Sequence, residues 1–97
     1  MIQKVIKFSA SWCAPCKAMK PIFDKISQME KYKSLQFIEY DIETDEDGVE
    51  LVETFNIKNV PTIVCVDENN HVIRKIIGLV QENTLIELLN EVVDNGL

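Results

Sequence analysis

Cys13 and Cys16 stand two residues apart in the stretch SASWCAPCKAMKP, Ser9 to Pro21, where an alternating apolar run gives way to a helix-like pattern. On a helix, positions three apart lie about one turn from each other, so both sulfurs project to the same side and can be joined as a disulfide. The first thiol, placed where the helix begins, meets unpaired backbone N–H groups and the positive end of the helix dipole. Both stabilise a thiolate and make Cys13 a nucleophile near neutral pH. Cys16, set deeper along the helix, can attack the resulting mixed disulfide, release the reduced substrate and leave an internal disulfide behind. Two electrons move this way with no cofactor.

A C-x-x-C pair can also supply half of a zinc site, with Cys65 and His71 as third and fourth ligands. The surroundings of those two residues speak for other roles. Cys65 lies in the apolar run Ile63, Val64, Cys65, Val66 and reads as a small core hydrophobe. His71 follows the turn-forming DENN of Asp67 to Asn70 and reads as a solvent-facing hairpin residue. No metal is expected.

The elements that must hold the pair follow from periodicity. Ile2, Val5, Ile6 and Phe8 form a mostly buried strand ending at Ser9, Ala10, Ser11. Met19, Ile22, Phe23, Ile26 and Met29 mark one face of a helix from Cys13 to about Lys31, with a bend near residue 20 where Pro21 removes a backbone donor. Leu35 to Ile42 alternates as a strand, with Leu35, Phe37 and Glu39 on one face. Thr44 and Asp45 are helix caps for a short helix carrying Val49, Leu51, Val52 and Phe55. Asn59, Val60 and Pro61 turn into the run Thr62 to Val66, and a hairpin leads to a last strand, His71 to Ile77, ended by Gly78. Leu85, Leu88, Leu89 and Val92 stripe a final helix closed by Gly96. The order βαβαββα predicts an α/β fold: a mixed four-stranded sheet flanked by helices on both faces, with parallel crossovers and an antiparallel last pair.

At 97 residues, 46% hydrophobic and 27% charged, the chain is sized for one globular domain, residues 1–97. An odd count of three cysteines points to a reducing, cytoplasmic setting rather than a secreted disulfide framework. Lys4 and Lys7 interrupt the apolar N-terminus, against a signal-peptide core, and no later run is of membrane-spanning length. A net charge of −6 argues against a phosphate-backbone partner. Met1 to Lys33 carries seven lysines against two acids, and Glu39 to Ile57 carries eight acids and no base. We read this asymmetry as solvated surface rather than a docking patch.

Several of these residues together resemble the thioredoxin family. Trp12 to Lys17, WCAPCK, is similar to the family's W-C-G-P-C-K; Pro21 matches its helix-bending proline; Val60 to Thr62, VPT, matches the proline loop that faces the thiols; Gly78 fits a glycine near that surface. The resemblance implies a thioredoxin-like fold and a protein disulfide reductase acting as a monomer. Its partners would be disulfide-containing proteins and an NADPH-dependent thioredoxin reductase as electron donor. It further implies a cis peptide bond before Pro61 and a substrate groove of Trp12, Ala14, Pro15, Val60, Pro61 and Gly78 beside Cys13.

The chain departs from the family pattern in three places. It starts about twenty residues late, as if without the first strand and helix, and Ala14 replaces a glycine. Where the family carries a buried Asp before the motif and a Lys on the next strand, this chain has Lys7 and Glu39, an apparent exchange of charges. We expect Glu39 to pair with Lys7 beneath Cys16 and to take over proton acceptance. The alternative is a Lys7 that extends to solvent beside an ordinary surface Glu39. Two other functions compete: a glutathione-dependent, glutaredoxin-like reductase, whose C-P-Y-C motif and paired glycines are absent here, and a thioredoxin-like binding subunit with dispensable thiols.

Overall fold

The computed structural model describes residues 2–94, without the side chain of Ile2, so the expected burial of Ile2 and the cap at Gly96 lie outside it. The described elements are β1 (Ile2–Ser9), α1 (Ala14–Ser27), a 3-10 turn (Glu30–Tyr32), β2 (Gln36–Asp41), α2 (Glu46–Thr54), β3 (Thr62–Asp67), β4 (Val72–Ile77) and α3 (Glu82–Asp94). The four strands form one mixed sheet in the order β2-β1-β3-β4.

Side-chain alternation along the central strands builds two cores. Val5 on β1 and Ile63 and Cys65 on β3 pack with Met19, Phe23 and Ile26 of α1 and Leu85, Leu89 and Val92 of α3. The intervening Ile6, Phe8, Val64 and Val66 pack on the opposite face with Phe55 and Ile57 at the end of α2. Phe37 of β2 joins the first core and Ile38 and Tyr40 the second, as the alternation requires. β3 is buried almost throughout, as a central strand covered on both faces must be.

Two expectations need correction. Parallel pairing holds between β1 and β2, but β3 runs antiparallel to β1. The chain leaves β2 at Asp41, beside Ser9, and enters β3 at Thr62, opposite Phe8, so α2 starts and ends at the same end of the sheet. A helix of nine residues spans only about 14 Å, and it does not carry the chain back to the far end. The first helix, expected to reach Lys31, stops at Ser27; after Gln28 the chain re-forms as a single 3-10 turn that buries Tyr32. The Tyr32 hydroxyl donates to Asn90 Oδ1 of α3, tying that turn to the last helix.

Smaller differences have local causes. Val49 is 51% exposed and Gly48 is the buried residue of α2. A Cβ on Gly48 would lie 2.8 Å from Tyr40 Cβ and 3.0 Å from the Asp41 carbonyl oxygen, so glycine is what lets α2 approach the end of β2. Asn56, at φ 55°, closes α2: its N–H bonds the Glu53 carbonyl while the Ile57 N–H reaches the Val52 carbonyl. At the β3–β4 turn, Asp67 Oδ1 accepts from the N–H groups of Asn69 and His71, and Asn70 takes φ 62°. Leu88, expected on the apolar stripe of α3, is only half-buried.

Candidate active site

Cys13 and Cys16 are joined as a disulfide, with their Cα atoms 5.2 Å apart. Cys13 is the N-cap of α1, with extended backbone, and Ala14 and Pro15 open the first turn. Proline is accommodated there because the first-turn N–H groups have no intrahelical acceptor. One of those orphan donors, the Cys16 N–H, points at Cys13 Sγ from 3.2 Å, the contact that would stabilise a thiolate on that sulfur. α1 continues unbroken through Pro21, so Cys16, Met19, Phe23 and Ile26 share its buried face.

Both cysteines are equally buried, at 3% exposure each, so depth along the helix does not distinguish them. What differs is the side of the disulfide each faces. Cys13 Sγ lies 3.7 Å from the Val60 carbonyl oxygen, next to the cis Val60–Pro61 peptide bond. On that side a cleft of about 440 Å³ is lined by Trp12, Ile42, Ile57, Lys58, Asn59 and Val60. Gly78, at φ +91°, donates its N–H to the Pro61 carbonyl at 2.8 Å, which ties the end of β4 to the proline loop in a conformation that favours glycine. Cys16 instead borders a second cleft of about 260 Å³, lined among others by Ser9, Lys20, Glu39 and Asp45.

Lys7 and Glu39 are register partners on β1 and β2, in the inward row below α1. Lys7 is fully buried, which removes the solvent-extended alternative, and its Nζ donates to Glu39 Oε2 at 2.8 Å and to the Cys16 carbonyl at 3.1 Å. The ammonium also lies 5.9 Å from the Phe23 ring centroid. Glu39, 30% exposed, takes a further bond from the Ser9 hydroxyl at 3.2 Å and pairs with Lys20 Nζ at 3.3 Å.

Burial opposes ionisation of Glu39, but the Lys7 and Lys20 ammoniums together outweigh it and hold the carboxyl below its ordinary 4.5. A carboxyl with a lower value in the folded chain than in the unfolded one adds stability that is fully present above about pH 4.5 and is lost as pH falls through the folded value. Melting temperatures of the unsubstituted protein and Glu39→Gln are therefore expected to differ most near neutrality and to converge in acid. A gap that stays constant with pH would contradict the pairing.

Glu43 and Lys20 are the residues at the site that sequence reasoning did not single out. Trp12, 65% exposed, donates its Nε1–H to Glu43 Oε1 at 2.6 Å, which fixes the ring at the rim of the groove. Glu43 lies in an acidic run read as solvated surface, and nothing local marks it. Lys20 was legible in principle, since it follows Cys16 by four positions and so shares its side of α1. Cys65 sits among the core residues between the sheet and α1 and α3, where burial pushes its thiol up to about 12. His71 is exposed, with Nδ1 3.5 Å from Asp67 Oδ2. Among the described residues no group of three or more His, Cys, Asp or Glu is placed to hold a metal ion.

The Thioredoxin family model matches residues 2–91. The chain belongs to the thioredoxin family. It is 32% identical over 85 residues to a thioredoxin of Mycoplasmoides gallisepticum, an alignment that covers 88% of this chain and 79% of that one. Among solved structures, the thioredoxin of Malassezia sympodialis superposes with a TM-score of 0.77 at 28% identity, over 91% of this chain and 72% of that chain. The oxidized mitochondrial thioredoxin 3 of Saccharomyces cerevisiae gives 0.74 at 28%, over 91% and 76%. The thioredoxin fold and its dithiol make this protein a thiol–disulfide oxidoreductase, with Cys13 and Cys16 as the redox-active pair. No helix among the described residues is long and apolar enough to cross a membrane.

Proposed function

We propose that the protein is a reductase of disulfide-bonded proteins in which Cys13 attacks and Cys16 resolves, recharged by an NADPH-dependent thioredoxin reductase in the reducing setting of the cytoplasm. The observation that carries this reading is the open, largely apolar groove on the Cys13 side, where the Val60 carbonyl stands 3.7 Å from the sulfur. An extended substrate segment laid in it can pair with the Val60 backbone as an added strand. Trp12 offers an apolar platform on one flank. Ala14 and Pro15 are exposed at the rim, and Pro61 and Gly78 support the strand-pairing edge.

The chemistry is two successive exchanges. Cys13 thiolate attacks one substrate sulfur, the substrate S–S bond breaks, and the departing sulfur takes up a proton. Cys16 thiolate then attacks Cys13, the mixed disulfide breaks, and the second substrate sulfur leaves and is protonated. The substrate gains two electrons and the protein ends as the Cys13–Cys16 disulfide. The test is NADPH oxidation in the presence of a thioredoxin reductase and a disulfide-bonded protein, with glutathione and its reductase in a parallel reaction. Turnover is expected in the first; turnover confined to the second would replace this electron donor by glutathione.

A further inference from the structure

Lys7 is a charged side chain with no exposure at all, on the inward row of a central strand whose neighbour in that row is Val5. Taking an ammonium out of water is costly, and a well-packed apolar side chain of similar volume is commonly at least as stabilising as a buried ion pair. The pair nonetheless sits directly beneath the redox-active helix turn, and it is oriented. Its positive end donates to the carbonyl of residue 16, while its negative end faces the second cleft, where Ser9 and Lys20 hold it.

We propose that Lys7 is a positioning residue for the resolving step: its buried ammonium favours Cys16 as a thiolate, and Glu39 serves as the anchor that keeps the ammonium there. The inference rests on the assignment of Cys16 as the resolving sulfur. The charged and titratable groups around Cys16 come from every adjacent element: Lys7 from β1, Glu39 and Asp41 from β2, Lys17 and Lys20 from its own helix, and Asp45 from the cap of α2. Of these, Lys7 alone is fully buried and donates to residue 16, so it acts through the least-screened path.

Glu39 fits the anchor role better than that of proton acceptor. Two ammoniums hold its carboxyl below the ordinary range, so it is a weak base. The second cleft, lined by both Cys16 and Glu39, has room for water and gives the proton an exit to solvent. In the step itself the Cys16 thiol loses its proton to that water, the thiolate attacks the Cys13 sulfur, a Cys13–Cys16 bond forms, and the substrate thiolate leaves with the electron pair of the broken bond.

The test uses the reduced full chain and 5,5′-dithiobis(2-nitrobenzoate), whose thiol product is followed by absorbance. Release of the first product, in a concentration-dependent phase, reports attack by Cys13; release of the second, in a concentration-independent phase, reports resolution by Cys16. In parallel, the Cys16 ¹³Cβ resonance is titrated against pH. For Lys7→Met the Cys16 midpoint is expected to rise by about one unit and the second phase to slow about tenfold at neutral pH, with the first phase still present. For Glu39→Gln, whose amide oxygen can still accept from Lys7 Nζ and so keep the ammonium in place without countering its charge, the midpoint is expected to fall and the second phase to quicken. Should Lys7→Met fail to fold, the direction of change in Glu39→Gln decides. An unmoved Cys16 midpoint in the folded variants overturns the inference. So does a slower second phase in Glu39→Gln at an unmoved midpoint, which would make Glu39 the proton acceptor. Loss of the first phase in the unsubstituted protein would instead sink the assignment of the attacking thiol itself.

Discussion

Cys13→Ser is expected to reduce turnover of a disulfide-bonded protein by more than about a thousandfold, because a serine hydroxyl is essentially un-ionised at neutral pH and offers no comparable nucleophile. Cys16→Ser is expected to fail differently. Its Cys13 still attacks, but nothing displaces the substrate, so a covalent one-to-one complex accumulates that a small thiol dissolves. The contrast between the two variants tests the division of labour and not merely the need for sulfur. Non-reducing electrophoresis and mass spectrometry of the two reactions would show it. Replacing both cysteines by serine separates the competing reading: a cellular role that survives while disulfide reduction vanishes would favour a binding subunit with dispensable thiols.

The largest expected effect on stability is Phe8→Ala, about 3–5 kcal/mol. Phe8 is wholly buried on the α2 side of the sheet, with ring centroids 6.1 Å from Tyr40 and 6.3 Å from Phe55. It thus joins β1, β2 and the end of α2, and alanine would leave a cavity bounded by backbone that has little freedom to collapse. Denaturant unfolding of both proteins measures the cost. A loss below about 1 kcal/mol would mean that the surrounding elements close the gap. Because Phe8 lies opposite Thr62, next to the proline loop, the variant also asks whether a loosened α2 side leaves Cys13 chemistry intact.

Much of the site is legible in the amino-acid order because its central parts are local. The spacing of Cys13 and Cys16, the helix start between them and the proline at position 15 all fall within one turn, where periodicity and capping rules act directly. Inward rows are legible for the same reason: alternation puts Val5 and Lys7 on one face of β1, and Phe37 and Glu39 on the matching face of β2. The Trp12–Glu43 hydrogen bond is not legible, since it joins residues 31 positions apart on an exposed rim where no pattern is imposed. Val49 misleads because a β-branched apolar residue in a short helix looks inward until one sees that Gly48 is the residue pressed against Tyr40.

The amino-acid order by itself settled the succession of strands and helices, most of their apolar positions and which thiols can meet, because each depends on neighbours within a few positions; it missed the end of α1 at Ser27 and the exposure of Val49. Folding in three dimensions decided the direction of β3, the two clefts on either side of the disulfide, and the full burial of Lys7 against Glu39 and the Cys16 carbonyl. A lysine can reach water or turn inward at similar local energy. Only the packing of α1 over the sheet closes the first route and makes the second one the structure of the site.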